Sequence, residues 1–174
     1  MSRTHAKGST KFVTPAELDE RLSLLRREGA CIVMTNGCFD LLHPGHVASL
    51  QEARRLGDYL VVGLNSDRSV RLLKGPARPI VDQQGRAEML AALECVDFVV
   101  IFDETEVTEL VRRVTPDVLV KSAEYTPDRV VGREIVEQRG GRVVVVAMKS
   151  GYSTTQLLER ISMVQKASAE GDAQ

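Results

Sequence analysis

The chain has 174 residues, of which 43% are hydrophobic and 27% are charged, and its formal net charge is −1. This is the usual balance of a globular domain with a buried core. Because the charge is close to zero, we expect no nucleic-acid partner, and any polyanion must be held at a local site. The sequence has no apolar run near the roughly 18 residues that a membrane span needs, and its polar start lacks an apolar signal segment, which predicts a cytoplasmic protein with no membrane partner.

The first half of the chain is predicted to alternate between helices and strands. Residues 1–10 are expected to form a flexible arm before a domain over 11–165, and 166–174 a flexible tail. The first helix begins at the capping box Thr14-Pro15-Ala16-Glu17 and ends at Gly29. It is followed by a strand over 31–35, a helix over 44–56 and a strand over 59–65. Residues 66–81 are predicted to be a long basic connection without a clean period.

The second half continues the alternation. Asp82 is expected to cap a helix that ends near Glu94, and Ser153 to cap the last helix. Between them we predict strands over 97–102, 117–121 and 142–148, a helix over 105–114, and a helix that opens at Thr126-Pro127 and ends at Gly140-Gly141.

These strands are nearly continuous Val, Ile and Leu, which is typical of strands covered on both faces. The pattern predicts an α/β fold: a Rossmann-like, doubly wound, parallel five-stranded sheet with helices on both faces. Ligands of such sheets bind outside the carboxyl ends of the strands. We therefore expect the chemistry at residues 35–46, 65–78, 102–105, 121–126 and 149–155.

A histidine pair lies at this edge of the predicted sheet, in the stretch T-N-G-C-F-D-L-L-H-P-G-H over 35–46. His43 falls at the start of a helix and His46 in its first turn, so both imidazoles point into one space above the helix N-terminus. That terminus carries unpaired N–H groups and partial positive charge, which suits phosphate, and Gly45 permits close approach. The alternatives are a surface pair without a role and a zinc site, although two histidines leave zinc short of ligands.

The same stretch resembles the signature of the nucleotidyltransferase superfamily that includes glycerol-3-phosphate cytidylyltransferase. Further segments are similar to one branch, the adenylyltransferases that make ADP-heptose from D-glycero-β-D-manno-heptose 1-phosphate. These segments are A-R-x-L-G-D, N-S-D, L-K-G-P-x-R-P-I, R-A-E-M-L-A-A-L-E-x-V-D, P-D-V-L-V-K and G-Y-S-T-T. With Lys11 and the helix after it, they spread over 11–161, nearly the whole predicted domain.

The resemblance implies a reaction in which a phosphate oxygen attacks the α-phosphorus of ATP in line and releases pyrophosphate, with Mg²⁺ on the triphosphate. Catalysis of this kind is mostly positioning and electrostatic stabilisation. By resemblance the catalytic residues are His43, His46 and Lys11. The implied nucleotide-binding residues are Thr35, Asn36, Gly37, Cys38, Phe39, Gly45, Lys121 (through its backbone), Ser153, Thr154 and Thr155.

The resemblance also implies a set of substrate-binding residues: Asp40, Asn65, Asp67, Lys74, Arg78 and Glu124. Several positions keep a second interpretation. Lys11 is alternatively a solvated lysine of the arm, Lys74 and Arg78 a solvated basic loop, and Asp40 a support of the motif loop. Asp67 is alternatively a local cap or a Mg²⁺ ligand, and no protein-bound metal is assigned. Arg86 either reaches the site or is an exposed helix arginine, the second being favoured.

One segment departs from the branch pattern. Where the family has K-G-G-D-Y, this chain has Lys121-Ser122-Ala123-Glu124-Tyr125. Two rival functions therefore stay open: a cytidylyltransferase acting on a polyol or aminoalcohol phosphate, and a nucleotide-binding module without turnover. The family often pairs into dimers, so a homodimer is expected.

Overall fold

A computed structural model describes residues 11–122, 130–147, 149 and 151–171 of the chain. In that part it contains seven helices and five strands. The helices are α1 (Pro15–Arg27), α2 (Pro44–Arg54), α3 (Asp67–Lys74), α4 (Gln83–Ala92), α5 (Thr108–Val114), α6 (Arg133–Glu137) and α7 (Thr154–Gly171). The strands are β1 (Ile32–Gly37), β2 (Tyr59–Asn65), β3 (Phe98–Phe102), β4 (Val118–Ser122) and β5 (Arg142–Val146).

The five strands form one parallel sheet in the order β3-β2-β1-β4-β5. β1 pairs with β2 on one side and with β4 on the other. β2 and β3 therefore lie on one side of β1, and β4 and β5 lie on the other. All carboxyl ends lie at one edge, and the crevice between β1 and β4 is the switch point where ligands of open α/β sheets bind.

Alternate residues of each strand pack on opposite faces of this sheet. Ile32 and Met34 belong to one core cluster, together with buried residues of α1, α5 and α6. Val33 belongs to the other cluster, which includes buried residues of α2 and α4. Helices therefore cover both faces, and the predicted α/β Rossmann-like fold is confirmed.

Two predicted elements differ from the structure. Residues 66–81, expected to lack regular structure, contain α3, because the Ser66 side chain accepts a hydrogen bond from the Ser69 N–H and caps a helix. Val70 is the large apolar side chain that this helix buries, whereas Leu72 and Leu73 are exposed. At the C-terminus α7 runs on to Gly171, into the segment that was expected to be tail. The predicted helix start at Thr126-Pro127 lies outside the described residues.

Candidate active site

The first turn of α2 holds the two histidines in a fixed relationship. His43 is the N-cap residue, and its Nδ1 accepts a hydrogen bond of 3.3 Å from the His46 backbone N–H. A neutral imidazole that accepts at Nδ1 carries its proton on Nε2. His43 therefore offers an N–H donor from Nε2 while its other nitrogen closes the helix.

Both imidazoles are neutral at physiological pH. Their rings stack with centroids 3.7 Å apart and planes inclined by 20°. Burial lowers the pKa of His43, and burial together with the neighbouring His43 lowers the pKa of His46 to about 4. The Nδ1 atom of His46 is buried and has no hydrogen-bond partner among the residues that the structure describes. The two imidazoles are thus polar, uncharged groups. An anion that binds beside them would stabilise their protonated forms.

A second helix N-terminus meets this one at Gly45. A β-carbon at position 45 would lie 3.0 Å from the His43 ring and 3.2 Å from the Tyr152 carbonyl oxygen. Tyr152 lies just before α7. At the start of this helix the Ser153 hydroxyl accepts a hydrogen bond of 3.1 Å from the Gln156 N–H. Thr154 and Thr155 are the first two residues of α7. Two helix N-termini with their N–H groups and hydroxyls therefore converge, which is a favourable arrangement for a polyphosphate.

The loop between β1 and α2 is shaped by Phe39. This residue has φ +46°, and its ring centroid lies 5.1 Å from that of His46. A β-carbon at Gly37 would approach the Phe39 ring to 3.2 Å, so glycine leaves room for the aromatic side chain. Phe39 thereby packs beneath the His46 imidazole. Cys38, which lies between Gly37 and Phe39 in the sequence, has a free thiol, and burial raises the pKa of that thiol.

Arg86 lies buried between the motif loop, the end of β2 and the start of α3. The expectation of an exposed helix arginine was wrong, because Arg86 is 0% exposed. Its guanidinium donates to four oxygens at 2.5–3.0 Å: the carbonyls of Cys38, Asn65 and Val81, and the Asp67 carboxylate. It therefore ties the motif loop to the carboxyl end of β2 and to the start of α3. The signal was present, since Arg86 and Leu90 share the buried face of α4.

Asp40 joins the motif loop to the connection after α3. Its carboxylate accepts hydrogen bonds from the Arg78 guanidinium, from the Ile80 N–H at 2.6 Å and from the Val81 N–H at 3.1 Å. Only 3% of Asp40 is exposed. The geometry favours the loop-supporting interpretation of Asp40 over direct contact with substrate, and it holds Arg78 at the edge of the site.

At the switch point Asn36 and Lys121 lie side by side. The Lys121 ammonium donates to Asn36 Oδ1. Burial lowers the pKa of Lys121 to about 8. The side chain, and not only the backbone considered from the sequence, therefore belongs to this edge of the sheet.

The remaining predicted residues divide into three groups. Asn65 is buried and donates to Ser69 Oγ at 2.9 Å, which gives its side chain an internal partner. Thr35 lies in the carboxyl half of β1, and Lys74 is exposed at the end of α3. Glu124 lies outside the described residues.

Lys11 is not brought to the histidines. Its ammonium donates to the Leu93 carbonyl at 2.7 Å, and its own carbonyl accepts from Val99 N–H at 2.8 Å. Leu93 follows α4, and Val99 lies near the amino end of β3. This is the edge of the sheet opposite the site, so the geometry does not support the role that the resemblance implied for Lys11.

Residues 34–162 match the family described as cytidylyltransferase-like. The chain belongs to this family. Its curated relatives include the bifunctional proteins HldE of Syntrophotalea carbinolica, 56% identical over 83% of this chain, and of Trichlorobacter lovleyi, 47% identical over 92%. The match covers 29% and 33% of those two proteins, so the chain spans about a third of their length.

Solved structures share the fold of this chain. The lipopolysaccharide core biosynthesis protein of Thermoplasma volcanium superposes with TM-score 0.58 at 30% identity, over 72% of this chain and 100% of that one. Pantoate-beta-alanine ligase of Francisella tularensis, at 12% identity, shares the fold, with TM-score 0.54 over 81% of this chain and 68% of that one. The expected superfamily and enzyme class are confirmed: the chain is a nucleotidyltransferase-type enzyme, and the family implies a nucleoside triphosphate substrate.

Two structural findings bear on metals and membranes. Among the described residues, no group of three or more His, Cys, Asp and Glu side chains is arranged to hold a metal ion. The carboxylates nearest the motif loop, Asp40 and Asp67, are engaged by Arg78 and Arg86. Over the same residues, no helix is long and apolar enough to cross a bilayer.

Proposed function

We propose that the chain is a cytoplasmic adenylyltransferase that joins ATP and D-glycero-β-D-manno-heptose 1-phosphate to give ADP-heptose and pyrophosphate. The observation that carries nucleotidyl transfer is the convergence of His43, His46 and the N-termini of α2 and α7 at the contact between Gly45 and Tyr152. The acceptor rests on the motifs similar to the ADP-heptose branch. The relatives named HldE and the T. volcanium protein named for lipopolysaccharide core biosynthesis support it.

In the proposed reaction, an oxygen of the sugar phosphate attacks the α-phosphorus of the Mg²⁺-bound nucleotide while the bond to the β-phosphate breaks. The N–H groups at the starts of α2 and α7 hold the triphosphate, and Ser153, Thr154 and Thr155 add hydroxyl donors. His43 donates from Nε2 toward a phosphate oxygen, and His46 stabilises the negative charge that grows on the nucleotide. The carboxylates Asp40 and Asp67 are already paired, so Mg²⁺ enters as part of the nucleotide substrate.

Positioning in this site is done by Arg86, Asp40 and Phe39. Arg86 fixes the carbonyl of Cys38, and Asp40 fixes the segment 78–81, so the loop before His43 is held at two points. Lys74 and Arg78 are the cations of the neighbouring connection and are assigned to the sugar-phosphate side. Thr35 and Gly37 of β1 and Lys121 of β4 lie toward the carboxyl ends of their strands, and Thr35, Gly37 and the backbone of Lys121 are assigned to the nucleotide.

Pyrophosphate release tests the proposal directly. The purified chain is incubated with Mg²⁺ and either ATP or CTP, and with heptose 1-phosphate, glycerol 3-phosphate or phosphoethanolamine as acceptor. We expect turnover with ATP and heptose 1-phosphate. No turnover with that pair, under conditions where another pair reacts, overturns the assignment of base and acceptor.

Cytidylyl transfer is the second candidate, since the matched family is described as cytidylyltransferase-like. Preferential release of pyrophosphate from CTP would establish it. Binding of either nucleotide without turnover of any acceptor would support a non-catalytic module. The expected homodimer stays a prediction, which sedimentation equilibrium of the purified chain tests.

A further inference from the structure

The stacked imidazoles of His43 and His46 differ in what their nitrogens can do. His43 Nδ1 accepts the His46 backbone N–H, so a proton added at that nitrogen would break the cap of α2. His43 therefore stays neutral, with its N–H at Nε2, as long as α2 keeps its first turn. The buried Nδ1 of His46 is unpaired within the described part of the chain. Of the two rings, only His46 can gain a proton without the loss of a hydrogen bond.

In the free chain, three influences keep the ring of His46 neutral. The ring lies in the first turn of α2, where the partial positive charge of the helix N-terminus disfavours a further positive charge. The ring of His43 stacks on it with 3.7 Å between centroids. Burial and this neighbour lower the pKa of His46 to about 4. An anion placed beside the ring would offset all three influences.

The motif loop already contains an acceptor for a protonated His46. The backbone oxygen of Leu41 raises the pKa of His46, as expected of a carbonyl that interacts with the protonated ring. A nucleotide bound at the N-termini of α2 and α7 brings a second acceptor, a phosphate oxygen. A neutral imidazole has one N–H, whereas an imidazolium has two. Two acceptors on the same ring therefore require the imidazolium.

Ionisable side chains of the surrounding elements do not set this balance. Those in contact with another group are Asp40 with Arg78, Asp67 with Arg86, Lys121 with Asn36, and Lys149 with the ring of Tyr152. Lys74 is exposed at the end of α3, and the first turn of α7 carries no acidic residue. The Cys38 thiol is uncharged, since burial raises its pKa. The pKa of His46 responds instead to burial, to His43 and to the Leu41 carbonyl.

The charge of a polyphosphate is large enough to move this proton equilibrium. At an effective dielectric constant of about 20, one negative charge about 4 Å from an imidazolium raises the proton affinity of the ring roughly 10³-fold. A nucleoside triphosphate brings several negative charges, of which Mg²⁺ cancels only a part. Because the pKa of His46 in the free chain is about 4, a gain of this size is what protonation near neutral pH requires.

We propose that the binding of a nucleoside triphosphate draws one proton from the solvent onto His46, so that the reacting site contains an imidazolium stacked on the neutral ring of His43. This rests on the proposed function and adds the protonation state in which the site works. The positive charge is then in place before negative charge grows on the reacting phosphate. The proton stays on the ring during the transfer and returns to the solvent when the product leaves, so a full cycle consumes no proton.

Calorimetry measures this proton directly. Mg²⁺-bound α,β-methylene-ATP, which cannot be cleaved between its α- and β-phosphates, is titrated into the chain at about pH 7 without acceptor. This pH lies above the second pKa of roughly 6 of a phosphate group, so the nucleotide is almost fully ionised before it binds. The titration is repeated in PIPES, HEPES and Tris, which differ in ionisation enthalpy. The slope of the observed heat against that enthalpy gives the number of protons taken up per nucleotide.

We expect an uptake of about 0.5 to 1 proton per nucleotide, and a Kd that rises up to about tenfold between pH 7 and pH 8. His46→Gln should bind the nucleotide without proton uptake, since its amide does not titrate. His5→Gln is the matched control, because it removes the third histidine, which lies outside the described residues, and it should keep the uptake of the wild type. The uptake is counted per bound nucleotide, so a weaker Kd in His46→Gln does not hide the result.

NMR of the imidazole nitrogens identifies the ring that carries the proton. The chain has 3 histidines, so isotope-labelled rings give few signals, which His5→Gln and His46→Gln assign. In the free chain at neutral pH both stacked rings should be neutral, with His43 protonated at Nε2 only. In the nucleotide complex His46 should carry a proton on both nitrogens, and His43 should be unchanged.

Three results would overturn the proposal: an uptake below about 0.5 proton, an equal uptake in wild type and His46→Gln, or a neutral His46 ring in the complex. Failure of the proposed function shows itself differently, as a chain that releases no pyrophosphate with ATP and heptose 1-phosphate. A chain that turns over without proton uptake keeps the proposed function and loses this inference. A chain that prefers CTP is tested with the corresponding CTP analogue, because the charge on His46 depends on the triphosphate and not on the base.

Discussion

The imidazole of His43 stacks on that of His46, with 3.7 Å between ring centroids, while its Nδ1 accepts the His46 backbone N–H. The cap and the stack fix both rings before any ligand binds. This is the preorganisation that electrostatic stabilisation of a crowded phosphorus requires. The two histidines therefore act as one rigid unit at the start of α2.

Replacing His46 with alanine should lower kcat by about 10²- to 10³-fold, because one donor to the reacting phosphate is lost. Circular dichroism should be unchanged, since the His43 cap needs only the backbone N–H of residue 46. His46→Gln keeps an N–H donor and should recover part of the rate. Turnover of His46→Ala within threefold of the wild type would contradict the catalytic role.

The pH dependence of the free enzyme should reflect the low pKa of His46. Because this pKa is about 4 rather than 6.5, kcat/KM should not fall at pH 6 through protonation of His46. Stability follows by linkage. Between pH 6.5 and about 4 the unfolded chain binds a proton at His46 that the folded chain does not, so stability decreases as the pH falls through this window. The urea midpoint of the wild type should therefore fall more steeply with decreasing pH than that of His46→Gln.

Gly45→Ala should separate helix stability from activity. An added methyl group favours helix by roughly 1 kcal/mol, but here it would lie 3.0 Å from the His43 ring. We expect a catalytic loss of about tenfold or more, because a displacement of order 1 Å is enough to misalign a reacting site. Ser49→Ala, another single-atom change in α2, is the control and should keep full activity. Equal activity of both variants would show that the contact is dispensable.

Removing Arg86 should destabilise the fold as well as the site. Arg86→Met leaves the Asp67 carboxylate and three carbonyls without their buried donor, which corresponds to a loss of roughly 3–5 kcal/mol. Arg86→Lys should rescue little, since an ammonium does not reproduce the planar fork. The control is Arg55→Met, whose exposed pair with Glu52 should contribute at most about 1 kcal/mol. Urea unfolding measures all three.

Lys11→Ala distinguishes its two interpretations. The hydrogen bond from its ammonium to the Leu93 carbonyl predicts a loss of about 1 kcal/mol in unfolding free energy, with the KM of ATP unchanged. Thermal unfolding and ATP kinetics on one preparation give both values. A raised KM for ATP with unchanged stability would instead favour the contact with triphosphate that the resemblance implied.

The strands and the position of the histidine pair at the start of a helix were predictable because their signals are local. Runs such as Leu60–Val62 indicate buried parallel strands, and the capping box at Thr14 is present with both of its hydrogen bonds. The helix α3 was missed although its residues form an amphipathic pattern and Ser66 supplies an N-cap; in the structure the Asp67 N–H also donates a hydrogen bond to Gln83 of α4.

What the sequence could not provide is the partner of each charged side chain. Arg86 and Lys121 are buried cations, yet their burial depends on strands and loops more than 45 and 80 residues away along the chain. From composition and periodicity alone, such charged residues are predicted to lie on the protein surface. The same limit applies to Lys11, because the motif gives its position in the chain but not the edge of the sheet on which it lies.

The contact between Gly45 and the Tyr152 carbonyl has a consequence for how the enzyme matures. The segment with the two histidines is synthesised more than a hundred residues before the start of α7, which forms the other wall of the proposed phosphate pocket. A ribosome-bound chain that has exposed only the β1–α2 segment has both histidines but no second helix to close over a polyphosphate. On the proposed function, nucleotide capture waits until translation has passed residue 152.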